Sequence, residues 1–126
     1  MKELTAEWLA KAEEDYSVAT GLLRRRKVPA DSICFHSQQA AEKYLKAVLQ
    51  EHAVRFGKTH DLEGLLRLCT TVSPQLTLLV ADAELLNDYA VRYRYPGIDA
   101  TKKQAGLAVK AAGRVRRVVL PLLKKK

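Results

Sequence analysis

Between Pro29 and Val54 the chain runs for about 25 residues without an internal glycine or proline, and this stretch most narrowly limits how it can fold. It is rich in Ala, Leu, Gln, Glu and Lys, which lose little conformational freedom in a helix. Ile33, Ser37, Ala40, Ala41, Tyr44, Leu45, Val48 and Leu49 recur at steps of three and four, giving one apolar face. Asp31 stands where it can cap the first free amides, and Pro29 fixes the backbone leading in. At ~1.5 Å per residue such a helix is roughly 35 Å long, the width of a small domain. The rest of the chain is expected to pack around it.

A chain of 126 residues, 48% of them hydrophobic, is long enough for one cored domain and short of two. Four more helices are expected. Thr5 is placed to cap the first, with Trp8, Ala12, Tyr16, Ala19, Leu22 and Leu23 facing inward and Lys11, Glu14 and Asp15 facing water. The run Arg24 to Lys27 falls in its last turn, where cations suit the helix dipole. Thr59 opens a short third helix carrying Leu62, Leu65, Leu66 and Cys69. Ser73-Pro74 marks the start of a fourth, running to about Tyr93. Pro96-Gly97 ends it, Asp99 is placed to cap the fifth, and Pro121 is expected to bend or stop that last helix. The short turns predict an all-α, antiparallel up-and-down four-helix bundle with an additional C-terminal helix. Residues 1–123 form the domain and 124–126 a basic tail. The apolar run Val118 to Leu123 is expected to dock on the core or serve a homodimer interface.

Net charge is +8, and nine of the basic residues follow Ala100 with no acid among them. The preceding residues nearly balance, so the basic character is a property of the C-terminal end. Such a surface attracts RNA, DNA, an acidic partner or an anionic membrane, or simply keeps the chain soluble. Cys34 and Cys69 lie on apolar faces and read as buried thiols. The opening residues are too acidic for a leader, and no window reaches the ~18 to 20 apolar residues that span a bilayer. A cytoplasmic location without membrane association is the expectation.

His36, His52 and His60 have no zinc-ligand spacing with the cysteines, and no HExxH motif occurs. A phosphate-binding glycine loop and a nucleophile elbow are also missing. No metal or cofactor is expected, and no catalytic residue is assigned. His36, Gln39 and His60 are expected to form a polar cluster near the Thr59-His60-Asp61 turn. Asp88 and Arg92, four apart, suit an intrahelical ion pair worth only ~0.2 to 0.5 kcal/mol if exposed. Around the end of the fourth helix, Arg92, Tyr93, Arg94 and Tyr95 interleave guanidinium groups and rings. With Asp88 these are the candidate residues for holding phosphate and base.

Four blocks carry a resemblance: Trp8 with Ala12 and Asp15, CFHSQQAAEKYLKAVL from Cys34 to Leu49, KTHDLEGLL from Lys58 to Leu66, and YAVRYRYPG from Tyr89 to Gly97. In this order they resemble the HEPN domains, the higher eukaryotes and prokaryotes nucleotide-binding group. The resemblance implies a helical bundle, usually a homodimer. Many small prokaryotic members are encoded beside a minimal nucleotidyltransferase and form toxin–antitoxin pairs. Active members are metal-independent ribonucleases, marked by an arginine followed four to six residues later by histidine. Arg92 lies where that arginine is expected, but residues 96–98 read Pro-Gly-Ile and no histidine follows His60. Arg55 and His60 have a matching spacing, yet they occupy the turn into the third helix. The expected role is the HEPN component of a nucleotidyltransferase-associated, toxin–antitoxin-like pair that binds a protein partner and RNA or nucleotide. The alternatives are a divergent metal-independent ribonuclease using Arg92, Arg94 and Tyr95 or His36, and a non-catalytic dimeric adaptor.

Overall fold

The computed structural model describes residues 1–124. Five α-helices follow one another: α1 (Glu3–Leu23), α2 (Ala30–Glu51), α3 (Leu62–Thr70), α4 (Val80–Arg92) and α5 (Lys102–Lys124). A 3₁₀ turn, Pro74–Leu79, leads into α4, and no strand occurs among the described residues. The fold is the expected all-α bundle. α2 packs against all four other helices, whereas α1 touches only α2 and α5.

That central position explains the burial of α2. All eight positions of its apolar stripe are buried, but so are Cys34, Gln38, Glu42, Lys46 and Ala47. A helix with neighbours on every side buries polar side chains too, and each of those needs a partner. α1 runs antiparallel to α2. At one end the Lys2 amide donates to Glu51 Oε1 at 2.9 Å; further along, Tyr44 donates to Glu13, and Lys43 Nζ reaches Asp15 Oδ2 at 2.5 Å. Asp15 therefore turns inward rather than to water. Glu13 also accepts both arms of the Arg116 fork, at 2.7 and 3.0 Å, tying α5 to the same place. Close approach of α5 to α1 is made at Gly113, where a Cβ would sit 3.0 Å from the Tyr16 hydroxyl.

The helix ends depart from expectation in several places. Lys2 precedes α1, and Thr5 is buried inside it. The helix stops at Leu23, so Arg24 to Lys27 follow it instead of filling its last turn. Asp31 makes no cap; its Oδ1 accepts from the Ala100 amide at 2.7 Å and anchors the segment before α5. Asp61 caps α3 by accepting from the Glu63 amide, while Thr59 Oγ1 accepts from the Asp61 amide, one step upstream. Ser73-Pro74 opens the 3₁₀ turn, so the α-helix proper begins at Val80. At α5 the cap is Thr101, not Asp99. Thr101 Oγ1 accepts from the Gln104 amide and Gln104 Oε1 accepts from the Thr101 amide, a reciprocal capping box.

Pro121 does not stop α5, which continues to Lys124. Its side chain is exposed, so the backbone carbonyl freed by the missing N–H lies on the solvent side, where water can satisfy it. Val119 and Leu123 are buried, with Val118 and Leu122 packed beside them, so the apolar C-terminal run serves the core. Of the expected basic tail, Lys124 closes α5 and residues 125–126 lie outside the described residues. Cys34 and Cys69 are free and buried, and burial pushes their thiols up to about 11 and about 12. Among the described residues no helix is long and apolar enough to cross a membrane.

Candidate functional site

A groove of about 570 Å³ opens between the first half of α2, the turn before α3 and the second half of α4. Helical periodicity builds two of its walls. Phe35, Gln38 and Gln39 stand at steps of three and four on α2; Asn87, Ala90 and Val91 do the same on α4, with Arg94 three residues further on. His60 and Asp61 come from the intervening turn.

Beneath this groove lies a buried carboxylate. Glu42, only 3% exposed, faces His60 Nδ1 at 2.8 Å, accepts from Gln38 Nε2 at 3.3 Å and pairs with Lys46 Nζ at 3.0 Å. Lys46 is itself buried, with its ammonium 5.3 Å from the Trp8 ring centre and 5.9 Å from that of Phe56. Gln38 Nε2 also donates to the His60 carbonyl at 3.1 Å, and its Oε1 accepts from Gln39 at 2.8 Å. The turn is thus held to α2 through one hydrogen-bonded chain. On the opposite wall Asn87 accepts from the Leu62 amide and donates to Asp61, both at 2.9 Å. That donation from Asn87 is the main cause holding the Asp61 carboxyl below its usual range, aided by the Gly64 and Glu63 amides.

The chemistry on offer is mixed. Arg94 supplies a fixed cation, and Phe35, half exposed, supplies a ring face for stacking. Gln39, which spends one donor on Gln38, keeps its amide oxygen and a second N–H for a ligand, whereas the Asn87 amide is taken up by Leu62, Asp61 and Glu63. With Nδ1 directed to Glu42, the imidazole of His60 keeps Nε2 for another partner, and its side chain is 72% exposed. Among the described residues no three of His, Cys, Asp and Glu come together as a metal-binding group.

Of the residues singled out from the sequence, Arg94, Gln39 and His60 line the groove. His36 does not join them. Its Nδ1 meets Asp15 Oδ1 at 2.9 Å, on the side of α2 that faces α1, so the expected cluster with Gln39 and His60 divides. The cause is rotation: at about 100° per residue His36 lies about 100° from Phe35 and about 60° beyond Gln39, outside the arc that forms the groove wall and toward α1. Arg92 and Asp88 pair at 3.0 Å on an exposed surface and do not line the groove. The Tyr93 ring packs edge-on against Tyr89, with 5.5 Å between centres, and against the core. Tyr95, 60% exposed, sits past the helix end and outside the groove lining. The sequence reading missed Phe35, Gln38, Glu42 and Asn87 as site residues. Gln38, Glu42 and Lys46 at four-residue steps were a legible signal, because a carboxylate buried at the centre of the bundle needs such partners.

Comparison with known proteins agrees with this architecture. The sequence pattern of the HEPN domain family matches residues 5–124. A protein of Methanocaldococcus jannaschii, the candidate toxin MJ1304, is 32% identical over 136 aligned positions, covering 94% of this chain and 88% of that protein. The crystal structure of ST0689, an archaeal HEPN homologue, superposes with a TM-score of 0.76 at 25% identity, covering 98% of this chain and all of the other.

Proposed function

The chain belongs to the HEPN domain family, and from that premise we propose that it is the HEPN component of a toxin–antitoxin-like pair. In this reading its partner is a separately encoded minimal nucleotidyltransferase, and its groove binds RNA or a nucleotide without cutting it. One observation carries the binding role: Arg94, Phe35 and Gln39 meet in a single concavity. A guanidinium for phosphate, a ring for a base and an amide for a base edge are the groups that hold a nucleotide. Likeness to a candidate toxin supports the paired role. In the same reading the functional unit is a homodimer. Affinity isolation from the native cell, with protein and RNA both identified, tests the assignment. Recovery of a nucleotidyltransferase supports it; recovery of the protein with no such companion contradicts it and favours a dimeric adaptor.

A ribonuclease is the second reading, and one observation favours it. His60, oriented by the buried Glu42, shares the groove with Arg94. An imidazole held by a carboxylate can move a proton, and an arginine can hold the phosphate being attacked. Neither His36 nor Tyr95 is placed for that task. Under this reading pure protein cleaves single-stranded RNA in the presence of a metal chelator, and His60→Ala abolishes cleavage. Intact RNA after prolonged incubation excludes it.

A further inference from the structure

Lys103, Lys110, Arg117 and Lys124 stand seven residues apart along α5, and all four are exposed. Seven residues are close to two helical turns, so the four side chains share one edge with a drift of only about 20° per step. At ~1.5 Å per residue they are roughly 10 Å apart and form a line about 31 Å long. α5 contains no acid, and among the described residues none of the four lies within ion-pairing distance of a carboxylate. Two other arginines of the same helix behave differently. Arg114 takes Asp82 through two bonds at 2.7 and 2.9 Å, and Arg116 takes Glu13. The helix thus carries a paired set, which ties it to the bundle, and an outer row without direct ion pairs, with Lys102 beside its start and Lys124 near enough to Glu13 to act on it through space.

More positive charge lies at the end of the bundle where this row begins. The start of α5 and the α1–α2 turn lie at the same end of the bundle, since Ala105 and Val109 cluster with Leu22, Leu23 and Val28. Arg24, Arg25, Arg26 and Lys27 are exposed there. Of the acids at that end, Asp31 is bonded to the Ala100 amide and Asp99 lies in the loop before α5.

We propose that the outer row of α5 is a track for a nucleic-acid phosphate backbone. A protein partner is a poorer fit, because interface cores are depleted in lysine and enriched in aromatic residues, and this edge has no aromatic side chain. A membrane surface fits poorly as well. An interfacial helix needs its apolar face free, and that of α5 is buried in the core. Evenly spaced cations without aromatic or amide groups recognise phosphate and not bases. The row shares no residue with the groove, so it is a second surface and does not restate the first.

The test is the salt dependence of binding, read by fluorescence anisotropy with a labelled single-stranded RNA of ~20 nucleotides and a DNA of the same sequence. Each neutralised phosphate on a single strand contributes about 0.7 to the slope of log affinity against log salt. The quadruple variant K103Q/K110Q/R117Q/K124Q is expected to reduce that slope by nearly 3, equally for RNA and DNA, with an unchanged helical circular dichroism spectrum. Arg94→Ala, which touches the groove, is expected to change the slope by no more than about 1. An unchanged slope in the quadruple variant overturns the proposal, as does a loss seen with RNA but not DNA. Failure of the wild-type protein to bind either strand at about 50 mM salt also overturns it. Binding of AMP, which reports on the groove alone, separates failure of this proposal from failure of the groove reading.

Discussion

Glu42 is a charge placed where water hardly reaches, and its neighbours make it tolerable. Removing it leaves Lys46 buried without a counter-ion, a type of loss that costs about 3 to 5 kcal/mol. Glu42→Ala is therefore expected to lower the unfolding free energy by roughly 3 kcal/mol in urea denaturation. Glu42→Leu combined with Lys46→Met removes both charges and is expected to cost far less than the single change. Equal losses in the two variants would show that packing, not the uncompensated ammonium, sets the cost. His60, mostly exposed, adds only a screened contact from the other side. At this scale the sequence was partly readable. The four-residue steps from Gln38 to Lys46 mark a polar ladder, but nothing local shows that His60, eighteen residues from Glu42, completes it.

The helices, as elements, were the most legible part of the chain. Their apolar periods and the Pro-Gly break placed all five, because burying a stripe decides where a helix can exist. Their ends were less readable. Asp31 and Asp99 are good caps by type, yet Asp31 is claimed by an amide 69 residues away, and Thr101 with Gln104 makes the better box. Three elements meet where Glu13 of α1 accepts from Tyr44 of α2 and Arg116 of α5. The Arg116 fork is the main cause holding the Glu13 carboxyl below its ordinary value of 4.5; partial burial opposes it and Tyr44 assists. A carboxyl depressed in the folded state stabilises the fold fully above its unfolded value, and that contribution is lost as pH falls through the lower folded value. Thermal stability is accordingly expected to drop as pH falls below about 4.5, and less steeply in Glu13→Gln than in the wild type. Parallel acid profiles for the two proteins would remove Glu13 from the account.

For the molecule as a whole, the site depends on bringing together parts that are far apart in sequence. Phe35, His60, Asn87 and Arg94 come from two helices, a turn and a helix end, and the bundle makes them neighbours. The interleaved arginines and tyrosines drew attention to the right end of α4, but only Arg94 among them lines the groove. Arg92 is taken by Asp88 and Tyr93 packs against Tyr89, both consequences of i, i+4 proximity. The family blocks mark the scaffold well, since KTHDL and CFHSQQAAEK supply most of the groove, and they leave its ligand to be measured.

The most direct measurement is equilibrium binding of AMP and of a short single-stranded RNA to the wild type and to Arg94→Ala, in a metal chelator, with the RNA recovered afterwards. Loss of a guanidinium–phosphate contact of about 1.4 kcal/mol weakens binding roughly tenfold. The account predicts that weakening for both ligands, with the RNA recovered intact. Unchanged affinity in Arg94→Ala, or RNA recovered as fragments, would contradict it.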